Sequence, residues 1–233
     1  VGTQTRPLFA MDFNADATTM YAIDYDTWDF GTVDLNSAAF TVLGTSTPLG
    51  GQSWTGLTID PLTNQAYASS CDIVTTAIYS VNLANGATTL IGTTSDAPCL
   101  IDISISPNGD MYGHDIVNNA IYLVNRSTGA VTLVGPTGYD SSYAQGMDFD
   151  NDTGTLYIFL FDVGSFGTIY GTVDLNTGAV TPLAFVQNLE YEGAVQNTSF
   201  CATQDAPWLS LNPTAGTTAA GASTPVVATF DST

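Results

Sequence analysis

Ala10-Met11-Asp12-Phe13, Gly56-Leu57-Thr58-Ile59, Asp102-Ile103-Ser104-Ile105 and Gly146-Met147-Asp148-Phe149 are four versions of one short strand, and their spacing decides the fold. Their first residues stand 46, 46 and 44 residues apart, and a further copy opens 47 residues on, at Gly193-Ala194-Val195. A tyrosine follows in each full unit, at Tyr21, Tyr67, Tyr112 and Tyr157. A period of this length with only strand-like segments inside it predicts propeller blades, small sheets that bury their faces only against their neighbours. The chain is therefore expected to be all-β. We read a β-propeller of four recognisable blades over residues 1–200, with the Gly193 copy leaving room for a fifth.

Working outward from Gly56, four strand signals follow in the second unit: Trp54–Asp60, Gln65–Ser70, Ala77–Leu83 and Ala87–Gly92. Turn residues separate them, Asp60-Pro61-Leu62-Thr63-Asn64 after the first and Asn85-Gly86 before the last. The third and fourth units repeat the second of these turns as Ser127-Thr128-Gly129-Ala130 and Asn176-Thr177-Gly178-Ala179. The first unit has Ala38 where the others place glycine, which implies a different turn or some strain. In an up-and-down blade these short turns share one face of the propeller. The opposite face receives the longer and more varied segments, including 24–29, 70–76, 113–119 and 160–167. Length and variation gathered on one face mark where binding is expected.

Composition narrows the partners. The 233 residues hold two basic side chains, Arg6 and Arg126, against 22 acidic ones, for a formal charge of -20. Nucleic-acid binding needs clustered Lys and Arg and is excluded, as is electrostatic docking to an anionic membrane surface. No apolar run approaches the roughly 20 residues that span a bilayer, so no membrane insertion is expected. A polar surface built from Thr, Ser, Asn and Gly points to an extracellular or cell-surface setting. The chain opens Val1-Gly2 with no leader pattern and reads as a mature or excised segment. Asn125-Arg126-Ser127, Asn151-Asp152-Thr153 and Asn197-Thr198-Ser199 fit the glycosylation acceptor pattern.

Cys71 ends the second strand of its blade and Cys99 precedes the first strand of the next, so both fall on the long-loop face. That layout favours a Cys71–Cys99 disulfide over two free thiols, and a bridge there requires an oxidising compartment. Cys201 is left over.

From Ala206 the repeat gives way to Ala206-Pro207-Trp208-Leu209-Ser210-Leu211-Asn212-Pro213-Thr214-Ala215-Gly216-Thr217 and then Thr224-Pro225-Val226-Val227-Ala228-Thr229-Phe230-Asp231. This stretch resembles the first two strands of bacterial Ig-like modules of the BACON type. The units around Leu57-Thr58-Ile59-Asp60-Pro61 and Tyr79-Ser80-Val81-Asn82-Leu83 resemble propeller segments of large secreted bacterial surface proteins. An Ig-like sandwich needs about 100 residues, so the stretch 201–233 reads as an incomplete module or a strand-exchange extension. An irregular fifth blade is the remaining alternative.

Chemistry has few carriers. His114 is the only histidine, lysine is absent, and no nucleophile elbow is present, so no catalytic residue is assigned and no enzyme is expected. Calcium has a candidate site in the alternating carboxylates Asp148, Asp150 and Asp152, although the run lacks the glycine and glutamate of an EF-hand loop. No other cofactor is implied. Trp28, Asp26, Asp115, Tyr139 and Asp162, with Tyr143 nearby, gather on the long-loop face and suit a glycan or a protein ligand. Asp12 and Asp148 share one strand position and are expected near the central channel.

Two functions follow from these readings. The first is a non-enzymatic structural or adhesive surface protein that self-associates through its C-terminal strands into a filament or layer. The second is a glycan- or protein-binding propeller module using the acidic, aromatic loop face.

Overall fold

The computed structural model describes residues 5–143 and 145–191, and the backbone of 209–212 and 227–230. Four antiparallel sheets of four strands each stand in sequence order as the blades of a four-bladed β-propeller. The first blade is β1 (Leu8–Phe13), β2 (Met20–Asp24), β3 (Asp29–Val33) and β4 (Phe40–Thr45). The second is β5 (Ser53–Ile59), β6 (Ala66–Cys71), β7 (Thr76–Val81) and β8 (Thr88–Thr94). The third is β9 (Leu100–Ile105), β10 (Met111–Asp115), β11 (Ala120–Val124) and β12 (Val131–Pro136). The fourth is β13 (Gly146–Asp150), β14 (Thr155–Asp162), β15 (Gly167–Val173) and β16 (Val180–Gln187). Beyond them β17 (Leu209–Asn212) pairs with β18 (Val227–Phe230) as a two-stranded ribbon. The Gly193 copy, the Asn197 acceptor site, Cys201 and most of the Ig-like stretch lie outside the described residues.

The innermost strand of each blade is the repeat quoted above. Three hydrophobic clusters join the blades, one at each consecutive seam. Ile23 and Phe30 of the first blade pack with Trp54, Leu57 and Ala68 of the second. Ile78 of the second packs with Leu100, Ile103 and Met111 of the third, and Ile121 of the third with Phe149, Leu156 and Ile158 of the fourth. Phe30, Ile78 and Ile121 occupy one register position, opposite Ile23, Ser69 and His114. All three are fully buried.

Two further devices repeat at the same seams. Asp12, Thr58 and Ser104 share a strand position, and each accepts a backbone amide from the next blade, those of Ile59, Ile105 and Phe149. On the outermost strands, Gly44, Gly92 and Gly135 lie against the last turn of the following blade. A Cβ at any of them would overlap the carbonyl oxygen of Asn85, Thr128 or Thr177.

The turn at Ala38 is not different from its counterparts. Its amide reaches back to the Asp34 carbonyl at 2.8 Å, as Gly86 does to Asn82 and Gly178 to Asp174. Ala38 holds the left-handed conformation that the glycines adopt, at φ 58°, which costs a residue with a Cβ on the order of 1 kcal/mol. The strain reading, not the altered turn, is the correct one.

Candidate functional site

The two ends of the central channel differ. At the short-turn end Asp12 and Asp148 face each other across a cavity of about 10 Å³, also lined by Asn151, room for about one water. Asp12 accepts the amides of Phe13 and Ile59, and Asp148 accepts the Ser104 hydroxyl and the Phe149 amide. Burial pushes both carboxyls up, Asp148 to about 7, and their mutual repulsion adds to the rise at Asp12.

At the other end the starts of all four inner strands open into a cavity of about 390 Å³. Its wall is apolar: Phe9, Tyr25, Ile73, Ile101, Ile116 and Tyr143. The Cys71–Cys99 disulfide is present, with a Cα–Cα distance of 5.1 Å, and both cysteines line this cavity. It ties the second blade to the third at the lip, across 28 residues of chain, which is worth about 3 kcal/mol in the loop-closure account. Gln145 also lines the mouth. Its side-chain nitrogen donates to the Ser142 carbonyl at 2.8 Å, while its Oε1 is buried without a partner.

The loops around the mouth are built alike. Each opens with an aspartate whose carboxylate caps the turn. Asp24 accepts the amides of Asp26 and Thr27, Asp72 those of Val74 and Thr75, Asp115 those of Val117 and Asn118, and Asp162 that of Ser165. The next residue is apolar in every loop: Tyr25, Ile73, Ile116 and Val163. Capping fixes the backbone, so these tips are held out on a rigid rim, with Ile73 67% exposed; Tyr143, on the connection into β13, is 58% exposed.

The predicted ligand residues take varied places. Asp115 is fully buried and also accepts the Cys99 amide at 2.6 Å, so its oxygens are engaged within the fold, and burial raises its pKa. Asp162 is buried; desolvation works against its charge, but hydrogen bonds from Ser165 and the Asp140 amide hold its pKa below the usual value. Tyr139 packs half-buried against the third cluster. Trp28 and Asp26 are exposed on the β2–β3 loop, and Trp28 holds φ 60°. None of these five lines the cavity, whereas Tyr143 does. Three of the residues that line it, Tyr25, Ile73 and Ile116, follow an aspartate in loops that otherwise vary, and that pairing is the one local signal of the wall.

The calcium candidates do not converge. Asp148 faces the channel, Asp150 caps its own turn through the Asp152 amide at 2.9 Å, and Asp152 is exposed. Among the described residues no group of three acidic, histidine or cysteine side chains is placed to hold a metal ion. His114 is buried, with Nε2 3.2 Å from the Ser141 hydroxyl, and burial lowers its pKa to about 3. Both arginines are engaged, Arg6 with Asp24 and Asp29 and Arg126 with Asp60. The loop face therefore carries uncompensated negative charge. No helix among the described residues is long and apolar enough to cross a membrane.

No protein-family model matches the chain, and no curated protein matches it. Solved structures do resemble it. An aldose sugar dehydrogenase from Streptomyces coelicolor, in a PQQ-bound form, is 12% identical at a TM-score of 0.52, covering 80% of this chain and 70% of that one. A chain of the nidogen/laminin complex is 16% identical at 0.54, covering 73% and 63%. Virginiamycin B lyase from Staphylococcus aureus, an inactive variant with quinupristin, is 13% identical at 0.54, covering 82% and 60%. This chain thus spans only 63% and 60% of the latter two. Likeness at these identities shows the propeller fold alone. It also corrects one expectation. The dehydrogenase and the lyase are enzymes on this fold, so the scarcity of histidine and lysine does not make the chain a non-enzyme. What the comparisons support is a propeller fold that serves enzymes and binding proteins alike.

Proposed function

We propose that this chain is an extracellular recognition module whose long-loop face takes an apolar side chain of a protein partner into the mouth of the channel. The observation that carries the reading is the 390 Å³ apolar cavity rimmed by capped, outward-held tips. Apolar walls with few, fixed polar groups suit an anchoring side chain better than the hydroxyl-rich surface of a glycan. The surrounding carboxylates, Asp26, Asp72, Asp96 and Asp140, favour a basic rim on the partner. The disulfide fits an oxidising, extracellular setting.

Panning a displayed random-peptide library on the immobilised protein tests this. Enriched peptides are expected to carry one large apolar residue flanked by Lys or Arg. Their binding should weaken about tenfold or more, about 1.4 kcal/mol, in Ile73→Asp and Tyr143→Ala, and weaken with added salt. Peptides that bind both variants as well as the parent would overturn the reading.

A further inference from the structure

The devices that join the blades occur at three seams and stop at the fourth. β1 lies along β5, β5 along β9 and β9 along β13, but β13 and β1 make no comparable approach among the described residues. No described hydrophobic cluster joins the fourth blade to the first. Asp148, the fourth member of the latch position, accepts from Ser104 behind it and from Phe149 on its own strand. The glycine notches fail on both sides as well. Ala184 stands on β16 at the register of Gly44, Gly92 and Gly135, opposite Tyr170. Ala38 stands in the first blade's turn at the place of Gly86, Gly129 and Gly178. A side chain at both positions bars the close approach used by every other blade pair.

The fourth blade consequently shows its outer face. Tyr170, at the register of the fully buried Phe30, Ile78 and Ile121, is only half-buried. It stacks with Phe159 at 4.8 Å and Tyr157 at 5.7 Å, and Phe159 touches Tyr191 at 6.2 Å. Leu183, at the bulge beside them, is 57% exposed. A contiguous aromatic sheet face of this kind calls for a cover.

The chain holds a matching piece. In the β17–β18 ribbon, Leu209 pairs with Phe230 and Leu211 with Ala228, while Ser210 pairs with Thr229 between them. The two-residue alternation of strands puts Leu209, Leu211, Ala228 and Phe230 on one face. A lone two-stranded ribbon is marginal in water and needs such a face covered. The 17 residues between Tyr191 and Leu209 reach about 60 Å when extended, enough to return to the blade they leave. We propose that β17–β18 stacks this apolar face on the Tyr157–Phe159–Tyr170–Leu183 surface of its own chain, filling the seam between the fourth and first blades. The occupant is a ribbon rather than a regular blade because neither flank keeps the glycine that a regular contact requires.

Hydroxyl-radical footprinting of the full chain, read by mass spectrometry, tests this. Tyr157, Phe159 and Tyr170 are expected to oxidise slowly relative to Phe166, which is 57% exposed on a loop tip. Leu211→Asp and Phe230→Asp should each raise those rates several-fold, and Thr229→Asp, on the other face of the ribbon, should leave them unchanged. Rates identical in the parent and both apolar-face variants would overturn the proposal. Protection that disappears on dilution would also overturn it, by showing that the cover comes from a second copy of the chain.

Discussion

The two ends of the channel are built by the same four strands and yet are physical opposites. At the short-turn end Asp12, Thr58 and Ser104 each hold the next blade's amide, and the space left, lined also by Asn151, admits about one water. At the loop end the polar groups hold the loops and the apolar groups face outward around a far larger cavity. Each end keeps one buried side-chain oxygen without a partner, Asn151 Oδ1 and Gln145 Oε1. The difference teaches that a repeat can separate cohesion from recognition along a single strand. Substitutions at the lower end should act on stability, and those at the rim on binding.

The largest expected effect probes the one covalent tie at the rim. Replacing Cys71 and Cys99 together by serine should cost about 3 kcal/mol, visible as a lower midpoint in urea. An unchanged midpoint would mean that the lip is held without the bridge. Next, Asp12→Ala leaves the buried amides of Ile59 and Phe13 without their acceptor, at a cost of about 2 kcal/mol. Denaturant unfolding that shows no loss would break the assignment of this end to cohesion.

The pH response separates two buried groups of opposite sign. His114 has a folded pKa of about 3, below the ordinary 6.5, so its neutral burial stabilises fully above pH 6.5 and loses that contribution as pH falls toward 3. Asp148 has a folded pKa of about 7, above the ordinary 3.8, so its contribution is full below pH 3.8 and is lost as pH rises through 7. Each has a limiting slope of about 1.4 kcal/mol per pH unit, and between pH 4 and 6.5 they oppose. Asp12 and Asp115, also raised by burial, act in the same sense as Asp148, so thermal melts of the parent should fall with rising pH across this range. The fall should steepen in His114→Phe and flatten in Asp148→Asn. Parallel profiles in all three proteins would contradict both assignments. A smaller effect is at the strained turn, where Ala38→Gly should stabilise by about 0.5–1 kcal/mol, read as a higher melting temperature. At the rim, Ile73→Asp should leave stability within about 0.5 kcal/mol while weakening peptide binding about tenfold or more.

Much of the architecture was legible because the repeat writes every blade with the same short turns and the same inner strand. The disulfide followed from knowing on which face Cys71 and Cys99 fall. The site was less legible. An aspartate in a loop has one spelling whether its oxygens wait for a ligand or are already taken by amides, so Asp115 and Asp162 stood beside Asp26 as equals. The cavity wall escaped for a related reason. Ile73, Ile116 and Gln145 become neighbours only when four strands converge on one axis, and no local spacing encodes that. The open seam did leave traces, in alanine at 38 and 184 where glycine is the rule. The first of these reads locally as a turn anomaly, and its bearing on ring closure needs the neighbouring blade.

The aspartate caps carry a last consequence. Because each cap binds backbone amides, the path of the loop is set by the aspartate more than by the side chain that follows it. Ile73 and Val163, the most exposed of these side chains, can therefore change with little effect on the scaffold, whereas Tyr25 stacks on Phe9 and Ile116 packs beside the disulfide. Randomising positions 73 and 163 should yield mostly folded variants with new binding preferences, and natural drift there would retarget the protein without passing through an unfolded intermediate.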